Sequence, residues 1–167
     1  GAALVGRWAE GEELGDGSGE RRLARRLVDA GLLQPRWSPT ITSDQVTVVI
    51  PVKDRADELE VLLTRLAGLE VLVVDDGSQD AVAIERVAHG AGAGLIRRSS
   101  PGGPSVARNA GLAAVASPLT CFIDSDCLPE PGFLDGLLGA FTDPEVAAVA
   151  PRIVGAPSSS LLGRYEE

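Results

Sequence analysis

Hydrophobic and polar positions from residue 46 onward fall into two alternating patterns. Where apolar residues recur three or four positions apart, as at Leu59, Leu62, Leu63 and Leu66, the spacing is that of a packed helix. Unbroken apolar runs separate these stretches, and Pro51 is expected to end the first run. The pattern predicts helices over residues 56–67, 81–89, 105–116 and 131–141, and strands over residues 46–50, 69–74, 94–97, 119–123 and 146–150.

The predicted strands are continuous apolar runs rather than alternations of apolar and polar residues. This is typical of strands whose two faces are both covered by helices. We therefore predict an α/β fold with a doubly wound, mostly parallel sheet. In such sheets ligands bind beyond the carboxyl ends of the strands, which draws attention to the polar residues that follow each strand.

Residues 1–44 have a different character and are predicted to be an N-terminal extension to a main domain over 45–167. Residues 10–19 are acidic and Gly-rich, as in a flexible loop, and residues 20–33 carry Leu23, Leu27 and Ala30 at helical spacing. This short amphipathic helix should end near Gly31 and Pro35. Its four arginines favour a solvated face over a site for an acidic partner. Residues 35–44 are expected to be a linker.

Three polar clusters follow predicted strands: residues 51–54, residues 75–78 and residues 124–126. In a parallel sheet all three fall on the same edge. Carboxylates gathered at one edge repel each other unless a cation or a ligand compensates them. Taken alone, Asp75 to Ser78 is as well explained as a turn or a helix cap, but a second acidic cluster on the same edge weakens that interpretation.

Asp124 and Asp126 form the sharpest acidic pair. Spaced by two at the end of an apolar strand, they are expected to share one face. One carboxylate can then reach a metal ion while the other reaches a ribose hydroxyl or an ordered water. Carboxylate oxygens suit Mg²⁺ or Mn²⁺. The alternative is a strand-to-loop turn that holds no ligand.

The small residues of Pro101 to Ser105 precede the third helix of the main domain. Small residues let a ligand approach the backbone, and a new helix offers free N–H groups to an anion. Ser105, which can cap this helix, Arg108 and Asn109 share a face of its first turns and can contact a phosphate or a base. The alternative is a helix start with solvated polar residues.

Several classes of function are disfavoured. A net charge of −9 repels nucleic acid. Cys121, Cys127 and His89 lack zinc-ligand spacing, so the cysteines are interpreted as structural thiols. The Gly-rich residues 90–94 follow a helix, whereas a dinucleotide fingerprint follows a strand. A phosphoacceptor domain has acidic residues after its first and third strands, whereas in this chain they follow the second and fourth predicted strands. No run of 18 apolar residues and no signal peptide is present, so no membrane segment is expected.

Four motifs in order resemble the family 2 glycosyltransferases: V-V-I-P-V-K-D at 48–54, V-V-D-D-G-S at 73–78, G-G-P-S-V-A-R-N-A-G at 102–111 and F-I-D-S-D at 122–126. The resemblance covers residues 46 to about 155. Three further features are similar to one subgroup of that family, the glycosyltransferases of mycofactocin biosynthesis. These are V-A-P-R-I at 149–153, the short link at 68–69 and A-R-R-L-V-D-A-G-L-L-Q-P at 24–35.

The resemblance implies a GT-A fold that binds a nucleotide-diphosphate sugar, usually linked to UDP. It implies backbone contacts to the base from the end of the first strand, an acceptor for the uracil N–H at Asp75 or Asp76, and a ribose contact at Asp124. It also implies that Asp126, together with Asp124, holds a divalent cation, Mg²⁺ or Mn²⁺. Where the family often has Tyr-Asn, this chain has Lys53-Asp54, which receive no role. The implied donor-nucleotide residues are Pro51, Val52, Asp75, Asp76, Arg108, Asn109, Asp124 and Ser125.

The resemblance further implies inverting transfer of a sugar, expected to be glucose, to a hydroxyl of a small, peptide-derived redox cofactor. The general base is expected beyond Glu167, and residues 158–167 are interpreted as an incomplete tail. The chain is thus expected to be an N-terminal fragment, with a sheet incomplete on its C-terminal side, that binds nucleotide weakly and has no turnover. The expected location is the cytoplasm, with membrane association through other regions left open. The alternative is a non-catalytic nucleotide-binding or interaction module.

Overall fold

The structure, a computed structural model, describes residues 2–36 and 41–155. The chain forms two compact units, Gly1–Trp37 and Ser38–Glu167. Part of the predicted linker, residues 37–40, and the predicted tail over 158–167 lie outside the described residues.

The first unit contains two helices, α1 (Ala2–Ala9) and α2 (Ser18–Asp29). The helix predicted over 20–33 corresponds to α2, which begins earlier and ends sooner because the chain turns back after it: Gly31 N donates to Val28 O and Leu32 N to Leu27 O, both at 2.8 Å. Sequence reasoning missed α1, which is short and has a glycine within it. The Glu20 carboxylate accepts hydrogen bonds from Trp8 Nε1 at 3.3 Å and from Gly15 N at 3.2 Å.

The second unit alternates strands and helices as the apolar pattern predicts. A 3₁₀ turn at Ser43–Gln45, closed by a capping box at Thr42, leads into the first strand. The elements that follow are β1 (Val46–Val52), α3 (Ala56–Arg65), β2 (Glu70–Asp75), α4 (Ala81–Gly90), β3 (Gly94–Arg97), α5 (Pro104–Ala114), β4 (Leu119–Phe122), α6 (Phe133–Leu138) and a 3₁₀ turn at Gly139–Thr142.

Strand β1 continues through Pro51, which was expected to end it. Val52 O accepts a hydrogen bond from Asp76 N on the β2 side, so the nitrogen of Pro51 faces the opposite side, toward β4. The pairing of β1 with β4 covers only Val46 to Val49, apart from a last bond from Ile123 N to Val49 O. The missing N–H of Pro51 therefore falls where no partner strand remains, and the strand tolerates the proline.

The fifth predicted strand, over residues 146–150, is wrong. These residues follow the last 3₁₀ turn without regular structure, and Ala147, Ala148 and Ala150 are exposed. An apolar run predicts a strand only where a partner supplies the ladder of hydrogen bonds, and the described residues offer none here.

The four strands are all parallel and lie in the order β3-β2-β1-β4. From β1 the chain proceeds outward through β2 to β3. It then crosses back through α5 and places β4 on the other side of β1. The carboxyl ends of β1 and β4 therefore flank the point where the winding reverses, which is where open α/β sheets bind ligands.

Helices cover both faces of the sheet. On one face α3 and α4 pack against Val48, Ile50 and Val73. On the other face α5 packs against Val49 and Val74 through Ala107. Helix α5 lies so close that a Cβ on Gly111 would overlap Val49 and approach Val74 Cγ2 to 3.1 Å. The predicted doubly wound α/β architecture is confirmed.

Candidate functional site

The three polar clusters meet at the carboxyl edge of the sheet, as the sequence predicts. The parallel register pairs Val52, the last residue of β1, with Asp75, the last residue of β2. The Asp124 cluster follows β4 on the other side of β1. Pro51, Val52 and Ser125 are buried, whereas Asn109 is exposed on α5.

Asp54 connects the loops that follow β1 and β2. Its φ of 56° is the one positive φ among the non-glycine residues of 2–36 and 41–155. Asp54 N donates to Ser78 Oγ at 2.9 Å, and its Oδ1 accepts from Gln79 N at 2.6 Å. The left-handed conformation is disfavoured for residues other than glycine, but Asp adopts it more readily than most. These two bonds hold it in place and fix the start of α3.

The Asp76 carboxylate is buried and fully engaged in hydrogen bonds within the protein. It accepts hydrogen bonds from Gly102 N at 3.0 Å, from Gly103 N at 2.7 Å and from the Arg98 guanidinium. The N–H groups before α5 were predicted to be free for a ligand anion; in the structure these two are donated to Asp76. Helix α5 also begins at Pro104, with Gly103 rather than Ser105 at its N-cap.

Burial alone raises the pKa of the Asp76 carboxyl. The hydrogen bonds from Gly102 N and Gly103 N, together with the Arg98 guanidinium, outweigh that effect, so the pKa lies below its ordinary value of 3.8. The loop after β2 also lies close to the loop that leads into α5. Gly77 has a φ of 77°, and a Cβ on it would lie 3.0 Å from Pro101 N. Asp76 therefore positions the loop that leads into α5.

Asp75 differs from Asp76 in having an unused oxygen. Its side chain is 1 % exposed, and its Oδ1 accepts from Ser78 N at 2.9 Å. Its Oδ2 is buried without a hydrogen-bond partner in the part of the chain that the structure describes. The nearest cation, Arg97 Nε, is 4.0 Å away. A buried acceptor without a partner costs about 1–3 kcal/mol, so a donor that reached Asp75 Oδ2 would relieve this cost.

Both exposed aspartates after β4 are paired with arginines. The Arg108 guanidinium on α5 donates to Asp124 Oδ1, and the Arg55 guanidinium at the start of α3 donates to Asp126 Oδ2. The two carboxylate side chains are 52 % and 54 % exposed. Sequence reasoning singled out Arg108 but missed Arg55 and Arg98. Their positions were the available signal: Arg98 directly follows β3, and Arg55 ends the short loop after β1.

Asp124 and Asp126 could hold a small divalent cation together with a ligand. No group of three or more His, Cys, Asp or Glu side chains that could hold a metal occurs among residues 2–36 and 41–155. A protein-only cage is therefore not formed there. Mg²⁺ is commonly bound through one or two carboxylates, with phosphate oxygens and water completing its shell. Two half-exposed carboxylates fit that kind of site.

The cysteines are free thiols and both are partly buried. Burial raises the pKa of Cys121. Burial and the neighbouring charges of Asp126 and Asp124 raise the pKa of Cys127. Both thiols are therefore protonated at neutral pH and are poor nucleophiles.

None of the helices among the described residues has the length and apolar character that a membrane-spanning helix needs.

The model of glycosyl transferase family 2 matches residues 47–166, and the chain belongs to that family. Two curated relatives, each named pre-mycofactocin glycosyltransferase, come from Mycobacterium tuberculosis strains CDC 1551 / Oshkosh and ATCC 25618 / H37Rv. Each is 44 % identical over 146 residues, which covers 86 % of this chain and 31 % of the relative. The resemblance to the family and its mycofactocin subgroup is confirmed.

The chain spans about a third of the length of these curated relatives. A solved structure, S. aureus TarS 1-349 in complex with UDP, matches with a TM-score of 0.50 and 23 % identity. The match covers 66 % of this chain and 38 % of that chain. At this level of identity the likeness shows the fold, and the predicted GT-A type of fold is confirmed.

Proposed function

We propose that this chain forms the donor-binding part of a glycosyltransferase that uses a nucleotide-diphosphate sugar linked to UDP. The observation that carries the proposal is the pair of half-exposed carboxylates, Asp124 and Asp126, at the β1–β4 reversal of a family 2 domain. The TarS structure is a complex with UDP, which supports this nucleotide. The name of the curated relatives, pre-mycofactocin glycosyltransferase, supports a precursor of mycofactocin as the acceptor.

In this proposal the base binds where β1 ends, against the backbone of Pro51 and Val52. Asp75 rather than Asp76 accepts a hydrogen bond from the ring N–H of the base. Among the described residues Asp75 Oδ2 has no hydrogen-bond partner, whereas the Asp76 oxygens already accept from three donors. Since Asp75 Oδ2 is shielded from solvent, base binding must displace the residues that cover it.

The ribose and the phosphates would extend from the base toward β4 and α5. Asp124 accepts from a ribose hydroxyl, and Arg108, now released from Asp124, donates to the nucleotide. Ser125 and Asn109 adjoin these two residues in sequence and complete the proposed contact set. Arginine suits phosphate oxygens because its guanidinium presents paired donors.

Asp126, together with Asp124, would hold Mg²⁺ or Mn²⁺. Such a cation would stabilise the negative charge that develops on the diphosphate as its bond to the sugar breaks. The acceptor hydroxyl attacks the anomeric carbon from the opposite face with inversion, and a carboxylate takes its proton. No residue of the acidic edge is assigned as this base. We propose that the base lies beyond Glu167 and that the sugar is glucose. We also propose that the 167-residue chain alone does not catalyse sugar transfer.

Calorimetric titration of the chain with UDP, with and without Mn²⁺, tests the proposal. We expect binding that depends on Mn²⁺ and that Asp126→Asn weakens about tenfold or more, since bonds to charged groups contribute about 1.5–3 kcal/mol. GDP and NAD serve as control nucleotides. Equal binding of all three nucleotides, or UDP binding that ignores both Mn²⁺ and the substitution, would contradict it.

A further inference from the structure

Arg55 stands at the reversal point of the sheet and was assigned no role by the motifs. It is the first residue of the turn into α3, and Leu59 N donates to its carbonyl at 3.1 Å. Its guanidinium reaches across to the loop after β4 and donates to Asp126 Oδ2. The side chain of Arg55 is 48 % exposed. The residue therefore joins the ends of β1 and β4 at the place proposed for the cation.

The backbone before Arg55 is fixed on both sides. The left-handed Asp54 is held by Ser78 Oγ at 2.9 Å and by Gln79 N at 2.6 Å. Ser78 N is in turn held by Asp75 Oδ1. This chain of bonds determines where α3 begins, and with it where the Arg55 side chain starts. The fold therefore places the Arg55 backbone where its guanidinium can reach Asp126.

We propose that Arg55 pairs with Asp126 in the ligand-free protein, is displaced from it by a divalent cation, and then binds the donor diphosphate. The inference rests on the proposed function and deepens it. Half-exposed ion pairs are weak, so a divalent cation can displace the guanidinium from the carboxylate. Arginine keeps its charge when displaced, and phosphate oxygens are its preferred alternative partner.

Formal charges explain why the exchange is coupled to the donor. Asp124 and Asp126 are balanced by Arg108 and Arg55 in the structure. A divalent cation alone therefore adds unbalanced positive charge to this edge, and its binding is opposed. A cation that arrives with a diphosphate brings compensating negative charge, and the released guanidinium gains a partner. The arrangement disfavours the cation without the nucleotide and favours the two together.

The test uses Arg55→Gln in the 167-residue chain, with Arg65→Gln at the other end of α3 as a control of equal charge. Free Mn²⁺ is followed by electron paramagnetic resonance, and UDP binding at saturating Mn²⁺ by calorimetry. Arg55→Gln should tighten the binding of Mn²⁺ alone about two- to fivefold, because a competitor for Asp126 is removed. It should weaken UDP binding about tenfold, because a charged partner of the diphosphate is lost. Arg65→Gln should change neither constant by as much.

A second comparison ties the first effect to the carboxylate. In the Asp126→Asn background, Arg55→Gln should no longer tighten Mn²⁺ binding. If the wild-type chain binds UDP with Mn²⁺ and Arg55→Gln leaves either constant unchanged, the inference alone is wrong. If the wild-type chain shows no Mn²⁺-dependent UDP binding, the proposed function fails and the inference fails with it.

Discussion

Arg108 on α5 and Asp124 after β4 form an ion pair across the candidate site. Each residue was predicted separately to contact the nucleotide. Because each side chain contacts the other before a ligand arrives, their contributions to nucleotide binding are not independent. A nucleotide that uses both must replace their mutual bond with two bonds of its own.

This coupling can be measured with a double-mutant cycle on UDP binding at saturating Mn²⁺. Arg108→Gln and Asp124→Asn should each weaken binding about tenfold, because each removes a charged contact. The double variant should lose more than the product of the two effects, since each single change already removes the ion pair that the nucleotide must break. Strict additivity would show that the ion pair does not oppose nucleotide binding.

Asp76 is expected to stabilise the fold rather than to act on a ligand. Asp76→Asn should lower the free energy of unfolding at pH 7 by about 3 kcal/mol, because it disrupts a buried carboxylate that accepts from two backbone N–H groups and a guanidinium. Urea unfolding measures the change. The exposed Glu85→Gln is a control of equal charge and should have little effect.

The contribution of Asp76 should also depend on pH. Its pKa is lower in the folded protein than its ordinary value of 3.8, so the unfolded chain takes up the proton first as the pH falls. The stabilisation is complete above the unfolded pKa and is lost as the pH falls through the folded pKa. The difference in unfolding free energy between wild type and Asp76→Asn should therefore shrink between pH 7 and pH 3. A constant difference would show that the charge of Asp76 contributes nothing.

Gly111 sets how closely α5 packs on the sheet. Gly111→Ala should destabilise the fold by about 1–3 kcal/mol, because its Cβ would overlap Val49, a buried residue of the central strand. Gly136→Ala in α6 is the matched control, since no heavy atom lies within 4 Å of the Cβ that would be added there. The control should be neutral or slightly stabilising. Thermal unfolding of both variants decides the matter; a Gly111→Ala protein as stable as its control would refute the close packing.

Two properties of a residue at position 54 should determine the stability of the protein: whether it tolerates a left-handed backbone and whether its side chain can accept a hydrogen bond from Gln79 N. Asp54→Asn retains an acceptor for Gln79 N and tolerates a left-handed conformation, so it should be the least harmful. Asp54→Gly loses the bond only, whereas Asp54→Ala also strains the backbone and should be less stable than the Gly variant by about 1 kcal/mol. The measurement is the free energy of unfolding in urea. Equal stability of the Ala and Gly variants would contradict the left-handed assignment.

Much of the fold could be predicted because the helical spacing and the continuous apolar runs are clear between residues 46 and 123. The errors arise where tertiary context decides. Pro51 was expected to end β1, but its nitrogen faces a side where β4 has already ended. Residues 146–150 have the apolar character of a strand, yet no strand lies beside them in the part of the chain that the structure describes. Periodicity reports which face can be buried, not which partner is present.

The candidate site could be predicted as a location but not as a set of bonds. The rule for parallel sheets correctly gathers Asp76, Asp124 and Asp126 at one edge. It cannot reveal that Arg98, Arg108 and Arg55 each neutralise one of them, because those pairs join residues that are 16 to 71 positions apart. It also treats Asp75 and Asp76 as equivalent, although both are buried and only their hydrogen bonds distinguish them.

Strand β1 is the first strand in the sequence but lies inside the sheet, between β2 and β4. Strand β1 pairs with β2 soon after in sequence, but its pairing of Val46 with Leu119 must await β3 and α5. Closing that long loop has a larger entropic cost than closing the shorter loop between β1 and β2. We therefore expect β4 to dock late in folding and to open early in native-state fluctuations. Backbone amides of β4 should then exchange with deuterium faster than those of β1 and β2. The acidic edge would be lost by this local opening while the rest of the sheet remained intact.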